Sequence, residues 1–110
     1  MKSLKVDSKD VLANYKLGVL NMLGLGCEVN ITTALDYFLN AKPDAHALNA
    51  IGVIYYIAPD VFETDPVKLY QFGKIRKDIK KSMKALEQAA ESGNLNAKYN
   101  LGVIHLDETL

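Results

Sequence analysis

Cys27, His46 and His105 are the only cysteine and histidines in the chain, so any thiol nucleophile, imidazole base or soft metal ligand must come from these three. A thiol attacks as its thiolate, which needs a base held beside it and a further group to orient that base. Cys27 follows Gly24-Leu25-Gly26, in a turn. His46 opens one helical segment and His105 ends another, with no motif around either. A Cys-dependent hydrolase is the least supported reading, and no catalytic residue is assigned. Three ligands also fall short of the usual four-ligand zinc site, so no metal and no cofactor is expected.

Two other local patterns carry chemistry. Asn30-Ile31-Thr32 has the form of an N-glycosylation acceptor, although Asn30 is equally well placed to cap a helix. Lys74-Ile75-Arg76-Lys77-Asp78-Ile79-Lys80-Lys81 is a basic cluster that would attract acidic partners or a phospholipid surface. The plainer reading is a solvated helix face, with Asp78 as a cap. The acidic stretch Asp60 to Asp65 lies close upstream, and local pairing with it would cancel much of the field.

Composition narrows the class. The 110 residues hold 13 basic and 13 acidic side chains, so the net charge is zero, which argues against general nucleic-acid binding. No apolar run approaches the length of a membrane span, so no membrane insertion is expected in this segment. Met1-Lys2-Ser3-Leu4 lacks the apolar stretch of a signal peptide, although a piece of a longer protein would lack one in any case. A lone Cys27 excludes an intrachain disulfide and leaves the redox compartment open.

The elements that would position these residues repeat. Ala13-Asn14-Tyr15-Lys16-Leu17-Gly18-Val19 returns as Ala47-Leu48-Asn49-Ala50-Ile51-Gly52-Val53 and again as Ala97-Lys98-Tyr99-Asn100-Leu101-Gly102-Val103. Self-similarity at such a period marks a helical repeat array. Around the first copy, a helix from about Ser8 to Leu23 bears one apolar stripe of Val11, Leu12, Tyr15, Val19 and Met22, and another of Ala13, Leu17 and Leu20. A helix with two stripes is contacted from more than one side. Gly24 and Gly26 end it, and Asn30 caps a return helix from Ile31 to about Ala41. The second unit starts at Ala45, runs to about Ile57, and returns through Met83, Leu86, Ala89 and Ala90. Gly52 and Leu86 are 34 residues apart, against 20 for Gly18 and Phe38, so the second unit holds a 14-residue insertion between about Ala58 and Lys77. Asp65-Pro66 predicts a short helix there, Pro66 to Phe72. The third unit has one helix, Leu95 to about Leu106.

The expected fold is all-α: antiparallel helix pairs forming a short right-handed solenoid. It is a single domain, with repeat one about 8–43, repeat two about 44–94 and a partial repeat three about 95–110. A repeat helix cannot bury its apolar face alone. Leu101, Ile104 and Leu106 are therefore expected to lie open. This predicts a piece of a longer solenoid, or self-association through the C-terminal helix.

Ala13, Leu17, Gly18, Gly24, Gly26, Asn30, Ala34, Tyr37, Phe38 and Ala41, followed by Ala89-Ala90, Gly93, Ala97, Leu101 and Gly102, resemble the Sel-one-like repeat, a relative of the tetratricopeptide repeat. The match spans nearly the whole chain outside the insertion. Asn21 and His105 replace a frequent Tyr, which Tyr55 keeps, and Cys27 replaces the usual turn Val. The resemblance implies a protein- or peptide-binding scaffold, not an enzyme. The Asn-type turn and Ala34-Leu35-Asp36-Tyr37-Phe38 look most like the eukaryotic branch. That branch includes adaptors of endoplasmic-reticulum-associated degradation, which would place the chain in the reticulum lumen; a cytoplasmic peptide-binding scaffold is the alternative. By analogy with tetratricopeptide geometry, the first helices would line a concave face with Tyr15, Val19, Met22, Asn49, Val53, Tyr56, Tyr99 and Val103. Leu12, His46, Asn96 and Leu106 would line the same groove. The competing reading of these residues is packing between neighbouring repeats.

Overall fold

A computed structural model describes residues 10–109, which form six helices: α1 (Val11–Leu23), α2 (Ile31–Asn40), α3 (Ala45–Ile57), α4 (Pro66–Phe72), α5 (Ile79–Glu91) and α6 (Leu95–Thr109). The fold is the expected all-helical solenoid, with α1 paired to α2, α3 to α5, and α6 packed on α5. It measures 54 × 36 × 18 Å, so its thinnest dimension is under two helix diameters of about 10–12 Å. Ser8 and Leu110, the outermost expected boundaries, fall outside the described residues.

Short polar side chains set the starts of the helices. The carboxylates of Asp10, Asp44, Asp65 and Asp78 and the amide oxygen of Asn30 accept from backbone N–H groups two or three residues ahead, at 2.9–3.1 Å. Each satisfies one donor that a helix N-terminus leaves unpaired. With Asp10 as its cap, α1 starts at Val11. Gly24 ends it in the left-handed conformation, φ 72°.

The recurrent glycine explains the pairing. A Cβ placed on Gly18 would lie 2.6 Å from Phe38 Cε1, and one on Gly52 would lie 2.5 Å from Leu86 Cγ. Phe38 and Leu86 are both fully buried. The same close approach thus joins α1 to α2 and α3 to α5, one large side chain filling the notch that glycine leaves. Ser82 strengthens the second pair, its buried hydroxyl donating to Gly52 O at 2.6 Å. Gly102 has nothing within 4 Å of a Cβ, because no return helix faces it among the described residues.

The insertion is tied down at its ends. Ala58, Pro59 and Phe72 are buried. Lys77 N donates to Pro59 O, Asp78 N to Tyr55 O, and the Thr32 hydroxyl to Phe72 O. Leu69 is half-buried, but Val61, Phe62 and Tyr70 are exposed, so only part of its apolar content docks.

The C-terminal helix corrects one expectation. Ile104 is fully buried and Leu101 half-buried, both packed with Leu48, Leu86, Ala89 and Ala97. They sit on the side of α6 that meets α5. The exposed apolar residues of α6 are Leu95, Tyr99, Gly102, Val103 and Leu106. The other end mirrors this. Leu20 is 38% exposed although its equivalents Ile54 and Ile104 are 0% and 1% exposed. α2 backs α3 and α5 backs α6, whereas no described helix precedes α1.

Candidate protein-binding surface

The row expected to form a concave face is engaged differently in each copy. Tyr15, Val19 and Met22 on α1 are half-buried against the first core cluster. The Tyr15 ring lies 5.8 Å from both Phe38 and His46, which joins α1 to α2 and α3. Asn49 on α3 accepts from Asn100 Nδ2 at 3.0 Å, and the Tyr56 hydroxyl donates to Asp107 Oδ2. Val53 lies half-buried between them. In the third copy Tyr99 is 73% exposed, and Val103 and Leu106 are also open. Each row is thus covered in part by the next first helix, and α6 has no successor among the described residues. Tyr99, Val103 and Leu106 recur at intervals of four and three, so they form one exposed stripe.

Asn100 and Asp107 are partners that repeat matching alone passes over. Each lies 51 residues beyond the residue it bonds, one more than the 50-residue spacing of Gly52 and Gly102. Offsetting the repeat register by one residue would have found both. The contact to Asp107, first through the hydrogen bond and then through burial and charge, pushes the Tyr56 phenol up to about 12. Lys77 Nζ lies 4.6 Å from the centre of the same ring. Tyr56 is therefore enclosed by polar neighbours and is less available to a ligand than Tyr99.

The three potential chemical residues do not meet. The hydrogen-bond acceptors near the exposed Cys27 Sγ among the described residues are Leu20 O, Leu25 O and Asn21 Oδ1, at 3.7–3.9 Å. His46 faces Tyr15 and Asn94, 3.4 Å from Asn94 Nδ2, and His105 is exposed on α6. No group of three or more His, Cys, Asp or Glu among the described residues is arranged to hold a metal ion. No helix among them is long and apolar enough to cross a membrane. Asn30 is exposed while it caps α2.

Among the described residues no ion pair joins the basic cluster to the acidic stretch. Glu63 pairs with Lys68 at 3.0 Å inside the insertion, and this ammonium holds the Glu63 carboxyl below the usual carboxylate range. It is the one ion pair among the described residues. Arg76 instead donates to Gly73 O and Ile75 O.

The Sel1 repeat family model matches residues 11–42 and 68–94, more than half of the chain. The chain belongs to the Sel1 repeat family. Such repeats are generally protein–protein interaction modules, and proteins built from them are typically non-enzymatic scaffolds. The second match begins within α4, so Gly73 and Asp78 fall inside it, where the glycine spacing assigns an insertion. No curated protein and no solved structure matches the chain significantly.

Proposed function

We propose that this chain is a scaffold that holds a partner protein through the first helices of its repeats, chiefly along the open stripe of α6. The exposure of Tyr99, Val103 and Leu106 carries this reading. Their counterparts in the earlier copies are half-buried, and an apolar stripe in water favours a covering partner. Tyr is also a frequent anchor of protein interfaces. Tyr99→Asp with Leu106→Asp tests it, because both residues are exposed and the fold should survive. Light scattering on protein purified at native abundance should give a mass above the 12.1 kDa of the chain for the parent and a lower mass for the double variant. Equal masses would overturn the stripe as the binding surface. A parent mass twice that of the chain would identify a second copy as the occupant.

The narrower role, an adaptor in endoplasmic-reticulum-associated degradation, draws support from the exposed Asn30 sequon and from the Asn-type turn before Ala34-Leu35-Asp36-Tyr37-Phe38. A lumenal chain modified at Asn30 would shift on a gel after glycosidase treatment, and Asn30→Gln would abolish the shift. An unshifted band in the parent removes that support and leaves the scaffold reading intact.

A further inference from the structure

A second surface lies on the return-helix side. α2 and α5 stand apart over α3, leaving a shallow groove of about 280 Å³ floored by Leu48, Ile51 and Ala85 and edged by Leu39. Lys42 lies on one wall and Lys81 and Lys84 on the other. A second hollow, holding Lys74 and Arg76, shares Tyr55 and Lys81 with the first, so the two run together. α6 contributes no residue to either.

We infer that this groove binds an acidic peptide segment of a partner protein, an apolar side chain seated between α2 and α5 and flanking carboxylates set against the lysines. Charge supports the acidic occupant. Residues 74–84 hold six cations and one carboxylate, so the remainder of this neutral chain is net negative by five. None of those six cations is in an ion pair among the described residues, and Lys81 Nζ lies 5.3 Å from the Tyr55 ring centre. Asp78 is the one carboxylate lining the two hollows, and it caps α5 by accepting from Lys81 N. Shape supports a peptide over a membrane. The apolar floor is recessed between two helices, where a side chain reaches and a bilayer surface does not. α5 is 13 residues, about 20 Å long, which is the length of roughly six extended residues. Helix or strand, such an occupant follows ordinary groove recognition, with apolar anchors giving affinity and charge giving orientation.

The probe is a fluorescein-labelled 12-residue peptide with two Leu flanked by Glu, titrated by anisotropy at low and at physiological salt. Two peptides serve as controls, one with Lys for Glu and one with Ser for Leu. Vesicles of phosphatidylcholine with and without phosphatidylserine are tested by co-sedimentation. The acidic peptide should bind the parent and weaken at least tenfold in Lys81→Glu, Lys84→Glu, with a smaller loss in the matching Gln variant and at higher salt. The Ser and Lys peptides should bind at least tenfold more weakly than the acidic one. All the substituted lysines are exposed, and an unchanged circular-dichroism melt checks the fold. Tyr99→Asp, Leu106→Asp should leave this binding intact, which separates it from the α6 stripe. Equal binding by the lysine variants, equal binding by the Ser peptide, or retention by phosphatidylserine vesicles without peptide binding would each overturn the proposal.

Discussion

Glycines 18, 52 and 102 occupy one repeat position, and their surroundings predict opposite responses to a single methyl group. Gly18→Ala would drive Cβ into the Phe38 ring, and Gly52→Ala would meet Leu86 and come within 3.0 Å of Ser82 O. Overpacking of this kind costs about 1–3 kcal/mol. It should exceed the roughly 1 kcal/mol gained when Ala replaces Gly inside a helix. Gly102→Ala meets nothing and should stabilise the chain by about 0.5–1 kcal/mol. Chemical denaturation of the three variants checks the contrast; destabilisation by Gly102→Ala would mean that its face is covered. Tyr56 supplies a pH prediction. Its phenol is raised to about 12 by donating to Asp107, whereas an unfolded tyrosine titrates near about 10. The neutral form is the one the fold favours, so this contribution to stability is complete below about pH 10 and is lost as pH rises toward 12. Phenolate absorbance of the parent and of Asp107→Asn should differ by one tyrosine, which ionises at lower pH in the variant. Superimposable curves would show that the contact does not form in solution.

The elements were legible wherever a cap or stop residue marks them. Asn30, Asp44, Asp65 and Asp78 start α2, α3, α4 and α5, and Asp65-Pro66 places the short helix over Pro66–Phe72. Aligning Phe38 with Leu86 anticipates the two glycine notches, because the notch and the side chain that fills it are both local sequence features. The insertion was legible only in part, since an apolar residue in an irregular segment does not reveal whether it docks. Phe72 is buried whereas Phe62 is 84% exposed, and only the three-dimensional path separates them. Phe72→Ala should therefore cost about 3–5 kcal/mol. Phe62→Ser should stay within about 0.5 kcal/mol of the parent. Urea melts of the two variants measure the difference. Amide exchange should agree, slow at Lys77 and Asp78, whose N–H groups bond Pro59 O and Tyr55 O, and fast at the exposed Val61.

At the scale of the whole molecule, the exposed stripe of α6 and one charged groove define what the described residues offer. The first helices were identifiable as the contact row from periodicity, but periodicity does not say which copy is covered. Tyr15 and Tyr99 share a repeat position, yet one packs between helices and the other faces water, because α3 follows α1 and no described helix follows α6. The same blindness assigned Leu101 and Ile104 to the open face, whereas α5 covers them. The central claim is that the α6 stripe is a binding surface. Site-specific photo-crosslinking in cells tests it most directly, with a benzophenone side chain at Tyr99 and, as control, at the exposed Asp36 of α2. The account predicts discrete protein adducts from position 99 that are lost with Leu106→Asp and absent from position 36. No adduct from position 99, or the same adducts from both positions, would contradict it.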